Sequence, residues 1–164
     1  MSQLPSLLAF LVAAANAQDA RPEGQEAGLS ILDGVNQARA SGYVCGGAAY
    51  PPAPPLRWNQ QLAAAAQEHS ADMASRGKLD HASSDGGTVR ERSQRAGYYW
   101  TRIGENIAYG QWTPQEVLAT WLASTAHCTN IMDREFTEMG AAASRTQDGR
   151  DGVIYWTQVL GRPR

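Results

Sequence analysis

The sequence predicts a mixed α+β domain, a three-layer α/β/α sandwich with a short, mainly antiparallel sheet between two helical layers. Three observations carry that prediction. Gln60–Arg76 repeats apolar residues at helical spacing between a capping Asn59 and a terminating Gly77. Thr113-Pro114-Gln-Glu116 opens a second helix with an N-cap, a proline at the first helical position and a carboxylate at the third. Near the C-terminus, the run 152–160 places apolar side chains at both parities, with Val153, Tyr155 and Val159 on one and Ile154, Trp156 and Leu160 on the other. A strand of that kind is covered on both faces.

Taken in order, the chain starts with a leader. Leu7 to Ala15 is apolar and Ala15-Asn16-Ala17 has the form of a cleavage site, so residues 1–17 read as a signal peptide and the protein as exported, to a periplasm or the extracellular medium. Residues 18–27 are polar and read as a flexible linker, with the domain proper at 28–164. Ser30 is a candidate N-cap for a helix carrying Ile31, Val35 and Ala38, stopped near Gly42. Cys45-Gly-Gly47 and the proline run from Tyr50 to Pro55 read as a connecting loop, because proline lacks an amide donor.

The helix after Asn59 turns Leu62, Ala65, Ala66, His69 and Met73 inward. There, His69 reads more simply as a hydrogen-bonded core residue than as a functional one. Thr88 with Glu91 forms a capping box for a short helix ending near Gly97, whose Arg90, Arg92 and Arg95 read as a solvated face. Tyr98-Tyr-Trp100 reads equally as core or as cleft lining. The stretch Arg102 to Gly110 is an apolar sheet segment with Glu105 and Asn106 at its centre. Glu116 has two readings that do not exclude each other, a cap for its own helix, which the pattern favours, and a carboxylate pointing into a neighbouring cleft. Ser124 and His127 follow, then a strand over residues 138–143 and turn signals at Asp148-Gly149 and Asp151-Gly152.

Composition bounds the function. At 164 residues the chain fits one domain. A formal net charge of -2 supplies no field for nucleic acid, and no segment approaches the ~20 apolar residues of a membrane helix. The two cysteines, Cys45 and Cys128, have neither zinc-ribbon nor redox spacing. In an exported chain they suggest a disulfide, contributing up to ~4 kcal/mol by constraining the unfolded state.

Asn36-x-x-Arg39, Leu56-x-Trp58, Leu62-x-x-x-Ala66, His81, Gly104-Glu-Asn-Ile-Ala108, Glu116-Val-x-x-x-Trp121, Ser124-x-x-His127 and Tyr155-Trp-x-Gln-Val-x-Gly161 together resemble the CAP superfamily of cysteine-rich secretory, antigen 5 and pathogenesis-related 1 proteins. The resemblance runs from about Ile31 to Gly161 and is that of a compact bacterial SCP-domain member. It implies an α/β/α sandwich with a cleft lined by His81, Glu105, Glu116 and His127, and in some members a divalent metal on the two His or a lipid in a neighbouring groove. Cys128 stands where many bacterial relatives carry Arg, and pairing with Cys45 would anchor the N-terminal loop beside the cleft.

Neutral imidazoles suit zinc, so His81 and His127 are the candidate metal ligands, with Glu105 or Glu116 orienting a ring or activating water. The His-Glu-x-x-His motif of metalloproteases is absent, Ser124 lacks a nucleophile elbow, and Cys128 beside His127 is poorly arranged for a Cys-His pair. The expectation is therefore a monomeric binding module for a divalent metal, zinc first, or a small hydrophobic ligand. A metal-dependent hydrolase and a purely structural or partner-binding domain are the alternatives.

Overall fold

The structure is a computed structural model that describes residues 23–147 and 152–164. The leader, residues 18–22 and the turn signals at 148–151 lie outside the described residues. In chain order come α1 (Glu23–Ser41), the hairpin β1 (Tyr43–Cys45) and β2 (Ala48–Tyr50), β3 (Arg57–Trp58), α2 (Gln60–Arg76), α3 (Val89–Arg95), β4 (Trp100–Tyr109), α4 (Pro114–Ala123), α5 (Thr125–Met132), β5 (Glu138–Arg145) and β6 (Ile154–Pro163). The main sheet has the order β3-β5-β6-β4. Only the β3–β5 pair is parallel. This is the three-layer α+β architecture that the sequence predicts. No described helix is long and apolar enough to cross a membrane.

Strand alternation explains the two layers. On β6, Ile154, Trp156 and Leu160 pack with Ile31 and Val35 of α1, Val117 and Trp121 of α4, and Ile131 and Met132 of α5. The intervening Val159 packs with Leu62 and Ala66 of α2, and Tyr155 with Met73 and Ala74. Every side chain from Ile154 to Gly161 is thus buried, as the double parity of apolar residues requires. α2 lies so close to β5 that a Cβ added at Gly140 would sit 2.0 Å from the Ala63 nitrogen.

The helix signals have physical counterparts. The Asn59 side chain accepts from the amides of Gln61 and Leu62, and Gly77 ends α2 in the left-handed conformation. Thr88 and Glu91 form their capping box at α3, and the Thr113 hydroxyl accepts from the Glu116 amide with Pro114 in the first turn of α4.

Three expectations are corrected. α1 begins at Glu23, so residues 23–27 of the expected linker are helical and Ser30 is an interior residue, not an N-cap. The start moves because Ala27 packs against the core and the buried Gly28 lets α1 approach Trp58 and the Ala141 carbonyl. The expected loop at Cys45-Gly-Gly47, up to Tyr50, belongs instead to the β1–β2 hairpin, whose turn uses positive φ at Gly46 and Gly47. Arg92, expected on a solvated face, is fully buried.

The proline run is held by α1. Asn36 Nδ2 donates to the Leu56 carbonyl (3.0 Å) and its Oδ1 accepts from the Leu56 amide (2.8 Å). Arg39, also fully buried, donates to the carbonyls of Pro54 (2.7 Å), Ile131 (2.7 Å), Asp133 (2.9 Å) and Phe136 (3.3 Å). One guanidinium thereby joins α1, the proline run and the chain leaving α5.

Gly140→Ala tests the closeness of α2 and β5. Its methyl would meet backbone rather than a movable side chain, so a loss of ~1–3 kcal/mol is expected from overpacking, read as a lower urea midpoint. An unchanged midpoint would contradict this packing.

Candidate functional site

β4 is an edge strand, and its residues 105 and 106 face opposite layers. Cross-strand register pairs Glu105 with Val159 and Asn106 with Gln158. Glu105 therefore points to the α2 and α3 side, and Asn106 to the α5 side.

On the first side, Glu105 is nearly enclosed, with 8 % of its surface exposed. Its Oε1 accepts from His81 Nδ1 at 2.8 Å, and its Oε2 accepts from Arg92 Nη2. Because an ionised carboxylate only accepts, Nδ1 of His81 carries a proton and Nε2 is the nitrogen left facing outward. The His81 side chain is 64 % exposed, unlike its carboxylate partner. The hydrogen bond to Glu105 raises the His81 pKa above its ordinary 6.5, against a lowering from burial.

His69 approaches the same carboxylate, with Nε2 3.9 Å from Oε1. That nitrogen donates to the Asp80 carbonyl at 2.8 Å, while its buried Nδ1 has no hydrogen-bond partner among the described residues. Burial depresses the His69 pKa more than Glu105 raises it. His69 is therefore a neutral, hydrogen-bonded core residue, and its approach to Glu105 is not an ion pair.

On the second side, Asn106 uses its whole carboxamide. Nδ2 donates to Gln158 Oε1 (2.9 Å) and to the His127 carbonyl (3.2 Å), and Oδ1 accepts from Asn130 Nδ2 (2.9 Å). Asn130 also donates to the Glu105 carbonyl at 3.4 Å. Adjacent residues of one strand thus hold the ring of His81 and the backbone of His127. Burial lowers the His127 pKa, and the charge of His81 lowers it further, so the two imidazoles lie within electrostatic range. The buried Nδ1 of His127 has no partner among the described residues.

Glu116 caps its own helix. It lies in the first turn of α4, is exposed, and accepts from the Trp112 amide at 2.7 Å. Among the described residues its side chain makes no hydrogen bond to His81, Glu105 or His127. Ser124 is the residue between α4 and α5, without a side-chain cap bond. Of the expected cleft residues, His81 and Glu105 are in contact and His127 is nearby. Among the described residues, no group of three or more His, Cys, Asp or Glu side chains is arranged to hold a metal.

The Cys45–Cys128 disulfide is formed, with the Cα atoms 5.5 Å apart. It ties the end of β1 to α5, one residue beyond His127.

Two residues beside this site are absent from the expected set. Arg92 is one, and its signal is visible in retrospect: Val89, Arg92 and Ala96 fall at i, i+3 and i+7, a single helical stripe beginning with an apolar residue. Asn130 is the other, and no sequence spacing marks it.

A family model described as the cysteine-rich secretory protein family, CAP, matches residues 32–160. The chain belongs to that family. It is 32% identical over 108 residues to the uncharacterized protein YkwD of Bacillus subtilis, across 66% of this chain and 40% of that protein. A crystal structure of an extracellular protein containing an SCP domain, from Bacillus anthracis, matches with a TM-score of 0.68 and 28% identity, covering 85% of this chain and 41% of that one. This chain thus corresponds to less than half of either protein. An outer surface protein of Borrelia burgdorferi shares the fold at a TM-score of 0.68 and 16% identity, over 82% of this chain and 90% of its own.

The titrations give a sign to test. His81, with its folded pKa above 6.5, contributes stability that is present below pH 6.5 and lost as pH rises through the folded value. His69 and His127, with folded pKa values below 6.5, lose stability in the other direction, as pH falls below 6.5. The urea midpoint of the wild type should therefore decline just above pH 6.5 relative to that of His81→Ala. Parallel curves in that range would show that the bond to Glu105 does not raise the His81 pKa.

Proposed function

We propose that this protein is an exported CAP-domain module that binds a divalent cation, zinc by preference, between His81 and His127. The observation that carries the reading is the bond from His81 Nδ1 to the enclosed carboxylate of Glu105, which leaves Nε2 directed outward. A carboxylate behind an imidazole fixes its tautomer and increases its basicity as a metal ligand. His127, with a depressed pKa, is neutral at physiological pH and so also fit to donate a lone pair.

Two imidazoles are fewer protein ligands than a closed structural zinc site uses. The cation would therefore exchange readily and keep positions for water or for a ligand donor. When bound it would supply Lewis acidity to whatever occupied those positions. Glu105 takes part through His81, and Glu116 fixes the start of α4. Export is supported by the Cys45–Cys128 bridge, since such bonds persist in oxidising compartments.

A small hydrophobic ligand is the second reading. A groove of about 360 Å³ lies between the start of α1 and α2, lined in part by Trp58, Ala63, Ala64 and Ala142. Its size is within the range of small-molecule sites.

Titration calorimetry with zinc tests the first reading. The wild type should bind, and His81→Ala and His127→Ala should each weaken binding by at least about tenfold, the loss typical when even an outer partner of a metal ligand is removed. Identical isotherms for all three would remove the metal reading and favour a partner-binding or structural role.

A further inference from the structure

We propose that Arg92 is the positioning residue of the His81 site and that, through Glu105, it dictates which ring nitrogen of His81 carries the proton. The inference deepens the metal reading, but its main test requires no metal. Arg92 is fully buried, on a helix of only seven residues. Its Nη1 donates to the His81 carbonyl (3.2 Å), Ser83 Oγ (2.8 Å) and the Gly87 carbonyl (3.0 Å). Its Nη2 donates to Glu105 Oε2. One guanidinium therefore holds the backbone of His81 and the carboxylate that holds its ring, and it draws the 81–87 loop against β4.

The chemistry of the donors makes this selective. A guanidinium has donors only, so whatever occupies position 105 must turn an acceptor toward Arg92. Glutamate has two acceptor oxygens and satisfies both neighbours, one oxygen for Arg92 and the other for the Nδ1–H of His81. A carboxamide has one acceptor and one donor end. In Glu105→Gln the oxygen must face Arg92, which leaves the NH₂ group facing His81. Nδ1 then has to accept, so the proton moves to Nε2 and the outward lone pair is lost. A residue that merely filled space would impose no such choice.

Two-bond proton–nitrogen NMR on histidine-labelled protein, recorded without metal and well above the imidazole titration range, reads the tautomer directly. The wild type is expected to carry the His81 proton on Nδ1, and Glu105→Gln to carry it on Nε2. The double variant Arg92→Met/Glu105→Gln frees the carboxamide to turn its oxygen back, so the proton returns to Nδ1. Zinc affinity should follow, falling about 10–100-fold in Glu105→Gln and recovering in part in the double variant. An unchanged tautomer in Glu105→Gln, or one that stays inverted when Arg92 is gone, would overturn the proposal. If Glu105→Gln does not fold, Arg92→Lys serves in its place, since it keeps the charge but cannot span the same acceptors. It should hasten amide exchange over residues 82–88 and weaken zinc about tenfold, whereas wild-type exchange and affinity would overturn the proposal. Should the wild type bind no zinc, the metal reading falls while the tautomer result still tests Arg92.

Discussion

A carboxylate enclosed within a protein must find compensation for the water it has lost, and at Glu105 that compensation is Arg92. Both side chains are buried, and each has further hydrogen bonds, Glu105 from His81 and Arg92 to the 81–87 loop, while Arg92 Nε has no partner among the described residues. Removing one partner of such a pair typically costs about 3–5 kcal/mol, because the other charge is left buried alone. The rest of the site depends on this pairing. The carboxylate is held in place by Arg92, the His81 ring by the carboxylate, and the 81–87 loop by the same guanidinium.

The sheet supplies the second constraint. Because successive residues of a strand point to opposite faces, Glu105 and Asn106 reach different layers from one short piece of β4. Glu105 gathers α3 and the His81 loop, while Asn106 gathers Gln158 and the backbone of His127. β4 lies at the sheet's edge, so a loop on one side and a helix on the other can approach each other around it. The Cys45–Cys128 bridge secures α5 from its far side. A polar site thus arises where two layers meet at an edge, outside the apolar clusters around α1 and α2.

Much of this was legible in the sequence, for identifiable reasons. Asn59, Gly77, Thr88 and Thr113 act through their immediate neighbours, so cap chemistry located three helices. The double parity of residues 153–160 is a local pattern that reports a two-sided environment, and it gave the layering. The start of α1 was less legible, because Gly28 is informative only once Ala141 and Trp58 are seen to lie against it. The β1–β2 hairpin was hidden by the proline run that follows it. Arg92 was misread because composition alone makes a basic seven-residue helix look solvated, whereas its depth is set by Glu105 across the fold. Asn130 acts through tertiary contacts that no spacing encodes. For Glu116, the structure places the carboxylate on the Trp112 amide, in keeping with the cap reading.

The central claim is that a buried carboxylate and a strand edge present the imidazoles of His81 and His127 to one bound ion. Anomalous diffraction at the zinc edge, from crystals of the protein grown with zinc, tests it most directly. The account predicts one peak between the two rings, at about 2.0–2.1 Å from an imidazole nitrogen of each, with Nε2 as the donor of His81. A peak bound through His81 Nδ1, or zinc found only at other residues, would contradict it.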